Sequence, residues 1–245
     1  MKRFAGLVRR CIDDYSMIDS GDHIAVALSG GKDSLALLCA LAALREYYPK
    51  TFKLSAITVD MGFEGMDFTQ VKELCRRLEV PYIFVRTNIQ GVVFDNREEK
   101  NPCSLCAKMR RGVLNETIMQ AGISKIALGH HRDDAIETFF MSLFYEGRIS
   151  CFQPVTFMDR SGVTQLRPLL YAGEDDVQNL IRRLELPVVA STCPMNDASR
   201  RGEIKELVST LSEQYPDLTT KVFGAMQRLP LKGFSPTHHP KSPST

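Results

Sequence analysis

The chain has 245 residues, of which 44% are hydrophobic and 24% are charged, and its formal net charge is +2. These proportions are ordinary for a globular protein, and the length suffices for one large domain, or a domain with an appendage, around a substantial core. A strongly basic composition would favour nucleic-acid binding. The net charge here is close to zero, so the composition gives no reason to expect a nucleic-acid partner.

The first twenty residues predict a packed amphipathic helix. Phe4, Leu7, Val8 and Cys11 follow the i, i+3, i+4 spacing of one helix face. Charged residues interrupt this stretch too early for a signal peptide, and the longest apolar run, 34–44, is too short to span a bilayer. We therefore expect a cytoplasmic protein with no membrane partner. The helix could pack on its own core or against a second copy in a homodimer.

Strand-like and helical segments alternate along the first 145 residues. The expected strands are 23–29, 52–60, 81–87 and 124–130. The expected helices are 34–47, 68–78, one beginning near Cys103, and 133–144. Strands that alternate with helices at this spacing predict βαβ units, so the fold class is α/β with a doubly wound parallel sheet flanked by helices.

The pattern is less regular after residue 150. We expect a hairpin at 155–166 around a Ser-Gly turn, a helix at 173–185, a short strand at 186–191 and two helices within 199–228. The Pro- and Ser-rich end is typical of disorder. The predicted organisation is an N-terminal helix (1–20), an α/β domain (21–195), a small C-terminal helical extension (196–230) and a disordered tail (231–245).

The segment SGGKDS follows the first predicted strand and suits a phosphate group. It is not a Walker A loop, because Asp33 follows Lys32 and the earlier glycine is missing. Its two glycines permit a tight turn, and the helix that follows presents free N–H groups at its positive end. The alternative is a plain glycine turn followed by a helix cap, which would explain one glycine and the cap but not the lysine. The expected phosphate-binding residues are Ser29, Gly30, Gly31, Lys32, Asp33 and Ser34.

In this position SGGKDS resembles the loop of the PP-loop (N-type) ATP pyrophosphatases. The resemblance implies an adenine-nucleotide alpha-hydrolase-like fold that binds ATP, adenylates a substrate and releases pyrophosphate. With a strand order of about 3-2-1-4-5, the segment GHHRDD (129–134) would face SGGKDS where the order reverses. Gly129 and His130 would then line the nucleotide site. Asp60, after the second strand, would border the adenine, or it is simply a polar residue that ends a strand.

Two carboxylates in GHHRDD are candidate Mg²⁺ ligands. Asp133 and Asp134 would lie at the same sheet edge as the phosphates, and hard cations prefer carboxylate and phosphate oxygens. The alternative is a helix N-cap with an acidic first turn, and we expect one of the two acids to have only that role.

Seven cysteines in a chain expected to remain reduced favour metal binding or catalysis over structural disulfides. Cys103 and Cys106 form a C-x-x-C pair, but no second pair exists to complete a structural zinc site. Cys193 precedes a proline, as Cys103 follows one, and completes the best trio. Three thiolates suit an iron–sulfur cluster with one open iron better than a closed zinc site. The other cysteines are Cys11, Cys39 and Cys75, expected in the core, and Cys151, whose role is open.

Three longer segments resemble the tRNA 2-thiocytidine synthetases of the TtcA type. They are NPCSLCAKMRRG, ALGHHRDDAIETFFMSLFYEGR and STCPMND with YPDLTTKVFGAMQ, within residues 20–228. The resemblance implies that ATP and Mg²⁺ activate C2 of cytidine 32 of tRNA and that a [4Fe-4S] cluster on Cys103, Cys106 and Cys193 delivers sulfur. Lys32, Asp133 and Cys106 would be catalytic. Lys108, Arg110 and Arg111 would approach the RNA backbone.

Other functions remain possible from the sequence. Cys106 and Cys193 could shuttle a persulfide without a cluster, with sulfur from a donor such as a cysteine desulfurase in either case. A lysidine-synthase-like role is weaker, because that chemistry has no need of the C-x-x-C pair. A nucleotide-binding module with a regulatory metal site and no RNA substrate is the alternative from another functional class.

Overall fold

A computed structural model describes residues 1–95, 102–193, 200–229 and 234. Except for Phe234, the predicted disordered tail 231–245 lies outside the described residues, as do the first four residues of the predicted C-terminal extension, 196–199. In the described part, no helix is long and apolar enough to cross a membrane.

Helices and strands alternate as predicted. The helices are α1 (Lys2–Asp14), α2 (Lys32–Arg45), α3 (Thr69–Arg77), α4 (Pro102–Gln120), α5 (Arg132–Glu146), α6 (Glu174–Leu184), α7 (Arg200–Gln214) and α8 (Leu218–Arg228), with a π-helical turn at Gly91–Asp95. The strands are β1 (Asp22–Ala27), β2 (Phe52–Asp60), β3 (Tyr82–Arg86), β4 (Lys125–Ala127), β5 (Val155–Met158) and β6 (Val163–Leu166).

The strands form one sheet with the order β3-β2-β1-β4-β6-β5. The first five strands in this order run parallel, and β5 pairs antiparallel to β6. The predicted fold class is therefore confirmed. The fifth parallel strand is the second strand of the predicted hairpin, whose first strand becomes the antiparallel edge. The order reverses between β1 and β4, as expected.

Apolar packing covers both faces of the sheet. α2 is buried on nearly all sides, because it lies against the sheet and is covered in turn by α1 and α6. The apolar face of α1 belongs to the same core, so the predicted amphipathic helix packs on its own chain. Cys11, Cys39 and Cys75 are buried in this core, as expected. A smaller cluster that includes Ile57, Ile118 and Ile126 fills the opposite face, beneath α4.

The prediction of a strand at 186–191 is wrong. This segment has no strand structure, and Val189 donates its backbone N–H to the carbonyl of Gly30, at 3.0 Å, rather than to a strand. Pro187 has no N–H to donate to a ladder, so the segment was a poor candidate for a strand inside the sheet. It crosses instead over the loop between β1 and α2.

A largely buried lysine connects β4 to the start of the sheet. Lys125 of β4 has a side chain only 16% exposed, and its ammonium lies 2.7 Å from Asp22 Oδ2 and 3.3 Å from Asp19 Oδ2. It also donates a hydrogen bond to the carbonyl of Met17. The ammonium therefore joins β4 to the segment that leads from α1 into β1.

We expect Lys125→Met to lower the free energy of unfolding by about 2 kcal/mol, because Asp22 and the Met17 carbonyl lose a buried donor. Denaturant unfolding should show a lower midpoint with an unchanged slope. Asp19→Asn is the control: Asp19 is 69% exposed, and exposed ion pairs contribute about 0.5 kcal/mol. Equal losses in the two variants would contradict a special role for the buried ammonium.

Candidate active site

The loop between β1 and α2 has the backbone conformation that its glycines predict. Gly30 has φ +84°, and a Cβ there would lie 2.8 Å from the Val189 side chain. Gly31 is the N-cap of α2 and has no side chain to satisfy the free N–H groups of the first turn. Ser29 and Ser34 hydroxyls lie 3.2 Å apart beside it. The loop thus presents backbone donors and hydroxyls to an anion.

The two predicted motifs meet at the switch point of the sheet. A Cβ on Gly129 would lie 3.0 Å from the backbone N of Ser34, so the end of β4 is packed directly on the first turn of α2. This contact confirms that SGGKDS and GHHRDD face each other. It also explains the glycine at 129, since any side chain would push the motifs apart.

His131 lies buried among three carboxylates. Its Nε2 is 3.6 Å from Asp33 Oδ1 and 3.5 Å from Asp134 Oδ2, and its Nδ1 is 3.7 Å from Asp133 Oδ2. The side chain is only 5% exposed. Sequence reasoning missed this residue, because one histidine inside a polar motif carries no signal of burial. The His131 ring therefore lies between Asp33 of the first motif and the two acids of the second motif.

Both acids predicted as magnesium ligands also occupy helix N-termini. Asp134 accepts the backbone N–H of His131 at 3.0 Å and forms an ion pair with Arg201 at 3.1 Å. Asp133 accepts the backbone N–H of Glu174, the first residue of α6, at 2.6 Å. Asp134 therefore has the predicted capping role, while Asp133 joins α6 to the site. The carboxylates have further lone pairs for other partners.

The ammonium group of Lys32 lies near two carboxylates. Its ammonium is 3.0 Å from Asp33 Oδ1 and 3.4 Å from Glu174 Oε1, and Lys205 pairs with Glu174 at 2.8 Å. Burial alone would raise the pKa of Glu174, but Lys205 and Lys32 together lower it to about 2. Burial lowers the pKa of Lys32, while Asp33 and Glu174 outweigh it, so the net shift is upward. The lysine therefore stays cationic where phosphates are expected.

An open cleft of about 270 Å³ lies between the motifs. Six of the residues that the sequence predicted for the site line this cleft: Ser29, Asp33, Ser34, Gly129, His130 and Asp134. Sequence reasoning missed its apolar walls, which include Met61, Met66, Phe68 and Leu114. In the sequence, these apolar residues could not be distinguished from ordinary core positions. Asp60 lines a neighbouring pocket instead and accepts the backbone N–H of Gly62 at 3.0 Å.

His130 belongs to a stack at one side of this cleft. Its ring centroid lies 5.0 Å from that of Phe152, and the Arg167 guanidinium lies 4.9 Å from the Phe152 centroid. Burial and then the charge of Arg167 lower the pKa of His130 to about 4. The imidazole is therefore neutral at physiological pH and is held in place by its aromatic neighbour.

The cysteine pair lies beside the cleft. Cys106, at the start of α4, has its Sγ 3.5 Å from the Sδ of Met61, a cleft residue, and Arg110 one turn further lines the cleft itself. Burial raises the pKa of Cys106, Arg110 lowers it, and the nearby Cys193 and Cys103 raise it further. Each of the three thiols is free and at least partly exposed. Cys103 and Cys193 thus lie close enough to Cys106 to affect its pKa.

The remaining cysteine, Cys151, lies apart from that trio. It is half-buried, with its Sγ 3.4 Å from the carbonyl of Ala135, and burial raises its pKa to about 12. A thiol with such a high pKa is a weak nucleophile and metal ligand at neutral pH.

Within the described ranges, no group of three His, Cys, Asp or Glu side chains is arranged to hold a metal ion by itself. For magnesium this is the ordinary situation, because Mg²⁺ usually takes one or two carboxylates together with substrate phosphates. Asp33 and Asp134 line the cleft and offer such oxygens, while Asp133 lies beside the other ring nitrogen of His131. For an iron–sulfur cluster, the donor chemistry fits, since Cys103, Cys106 and Cys193 are free thiols and at least partly exposed.

Comparison with known proteins agrees with this geometry. The PP-loop domain family matches residues 5–209. The chain is 34% identical over 229 residues to the tRNA-cytidine(32) 2-sulfurtransferase of Ralstonia pickettii, which covers 93% of this chain and 73% of that protein. It is 36% identical over 232 residues to the protein of the same name from Haemophilus influenzae, with 94% and 74% covered.

A solved structure is similar as well. The U34-tRNA thiolase NcsA from Methanococcus maripaludis, with its [4Fe-4S] cluster, superposes with a TM-score of 0.77 at 27% sequence identity. The match covers 93% of this chain and 78% of the thiolase. The family match, the two relatives and the shared fold give one conclusion: the chain belongs to the PP-loop family, among the relatives of the tRNA-cytidine(32) 2-sulfurtransferases.

Proposed function

We propose that the chain is an ATP-dependent tRNA thiolase that replaces the C2 oxygen of cytidine 32 with sulfur. One observation carries this proposal: Cys106 Sγ lies 3.5 Å from the Sδ of Met61, which lines the open cleft between the two motifs. A thiol group beside an ATP site suits a reaction in which ATP activates a carbon that sulfur then attacks. The relatives' names supply the substrate.

In the first step, the C2 oxygen of cytidine would attack the α-phosphorus of ATP. A P–O bond forms there, and the bond to pyrophosphate breaks. The N–H groups of the β1–α2 loop, with the Ser29 and Ser34 hydroxyls, would bind the phosphates. Lys32, which stays cationic between Asp33 and Glu174, would offset the charge that develops on pyrophosphate. Asp33, Asp133 and Asp134 are the carboxylates that would provide oxygens to Mg²⁺.

In the second step, sulfur would bond to C2 and AMP would leave with the original oxygen. Cys103, Cys106 and Cys193 would hold a [4Fe-4S] cluster, which would supply sulfur at the sulfide level as the nucleophile; a donor that delivers persulfide sulfur would need a thiol reductant to provide two electrons. The neutral His130 and the stacked Phe152 would border the target base without adding charge. Adenylation is needed because a ring carbonyl oxygen is otherwise a poor leaving group.

The surroundings of the cysteines suit an RNA substrate. Lys108, Arg110 and Arg111 are exposed on α4, the helix that carries Cys106. Clustered cations bind phosphates, and a single-stranded loop can turn a base out of its stack to reach a recessed site. Such an enzyme would work in the cytoplasm with a sulfur donor such as a cysteine desulfurase, and a homodimer would be compatible with it.

We expect Lys32→Ala to lower the rate of AMP release and tRNA thiolation by about 10²–10³-fold, because a preorganised charge is lost from the pyrophosphate site. Iron content should stay near that of the unchanged protein, since Lys32 begins α2, whereas Cys103 and Cys106 lie on α4. The exposed Lys221→Ala should alter neither quantity. Loss of iron from the Lys32 variant would refute the separation of the two sites.

We expect the anaerobically purified protein to contain about four iron and four acid-labile sulfide per chain, with broad visible absorption. Cys106→Ala should lose both and still bind ATP. Cys151→Ala should keep the cluster, because Cys151 lies outside the trio. Zinc or no metal in the unchanged protein would favour persulfide transfer or a regulatory metal site, and a Cys106 variant with a full cluster would remove that residue from the ligand set.

A further inference from the structure

A second pocket lies beside the nucleotide cleft, and the function described so far does not use it. It has a volume of about 340 Å³ and is lined in part by three aromatic rings and two basic side chains. The aromatic residues are Phe68, Tyr82 and Phe84, and the basic ones are Lys72 and Arg86. We call it the β3 pocket, because three of these five residues lie on that strand.

The edge strand β3 presents a row of side chains to the β3 pocket. Tyr82, Phe84 and Arg86 alternate along the strand and therefore share one face of the sheet. The Phe84 ring is 39% exposed, with its centroid 5.6 Å from that of Phe68 and 6.2 Å from that of Tyr82. Phe84 is thus fixed by two ring neighbours while it remains open to solvent. Aromatic side chains on a sheet face are how several RNA-binding domains stack two or three bases.

The charges at the rim are suited to a nucleotide. The Arg86 side chain is 83% exposed, and its Nε is 3.8 Å from Asp60 Oδ2, which is a long ion pair. Lys72 is also exposed. The carboxylate of Asp67 accepts the backbone N–H of Thr69 at 2.8 Å. Two cations can therefore reach phosphates outside the rings, and carboxylates nearby can accept N–H groups of a base.

The β3 pocket and the nucleotide cleft share a wall. Met66 and Phe68 line both cavities. A molecule that places one base in the cleft can therefore place another unpaired base on the far side of the same two side chains. Single-stranded RNA has such bases, whereas ATP has only one.

We propose that the β3 pocket binds an unpaired base of the tRNA loop that carries the target cytidine, an inference that rests on the proposed function. The base stacks on Phe84, and Arg86 and Lys72 contact the adjoining phosphates. The pocket holds the loop while the target base is turned out into the cleft. It is thus a binding subsite for substrate, separate from the ATP and cysteine sites.

The chain contains no tryptophan, so a single substitution provides a specific reporter. Phe84→Trp keeps an aromatic surface in the β3 pocket, and base stacking quenches indole fluorescence. Tyr47→Trp is the matched control, because Tyr47 is 54% exposed just beyond the end of α2, the end remote from the phosphate loop. Each variant is titrated with anticodon stem-loop RNA that contains cytidine 32, and separately with ATP. Fluorescently labelled RNA measures binding independently.

We expect RNA to cause a saturable loss of emission from the Phe84→Trp variant and no change in the Tyr47→Trp variant. ATP alone should quench neither. RNA binding without a signal from position 84 would overturn the pocket assignment and leave the proposed function intact. Quenching by ATP alone would also overturn it, because the pocket would then belong to the nucleotide. Absence of any RNA binding would refute the proposed function together with this inference.

A second pair of variants separates stacking from folding. We expect Phe84→Leu to weaken RNA binding about tenfold, since an apolar side chain of similar size cannot stack, whereas Phe84→Tyr should bind as the unchanged protein does. ATP affinity should stay the same in both, which shows an intact fold. Equal RNA affinities for the Leu and Tyr variants would count against stacking at this position.

Discussion

The close packing of Gly129 on the first turn of α2 is the contact on which the site depends. Since a Cβ at 129 would lie 3.0 Å from the backbone N of Ser34, the ends of β1 and β4 can approach only with glycine there. The approach brings carboxylates of both motifs around His131 and opens the cleft beside them. A parallel sheet places the strand ends at one edge, and the glycine determines how near they come.

Charges then link the edge of the sheet to the helices behind it. Glu174, at the start of α6, pairs with Lys32 and Lys205, and its backbone N–H binds Asp133. One residue thus joins the phosphate loop, the second motif and α7. Asp33 and this acid together keep Lys32 charged despite partial burial, because their negative charges outweigh the cost of desolvation. Lys32 thus takes part both in these links and in the expected contact with the phosphates.

The segment that follows α6 contacts the loop between β1 and α2 and leads directly to Cys193. Val189 donates to the carbonyl of Gly30, and Thr192 donates to the carbonyl of Glu64. Cys193 follows at once, so its position depends on both loops. Cys106 reaches the same region from α4 through its contact with Met61. Cys106 and Cys193 come from separate parts of the chain, and these contacts hold each part near the cleft.

The sequence by itself determined the α/β class, most helix positions, the reversal between the first and fourth strands and the glycine turn between β1 and α2. These depend on local periodicity and on glycines whose conformational needs are local. It misjudged 186–191, because apolar β-branched residues favour a strand wherever they occur, and only the tertiary structure supplied the competing partner, the Gly30 carbonyl. Long-range packing likewise decided the burial of His131, the ion pairs of Glu174 and the β3 pocket. Such packing brings together residues that no spacing along the chain connects.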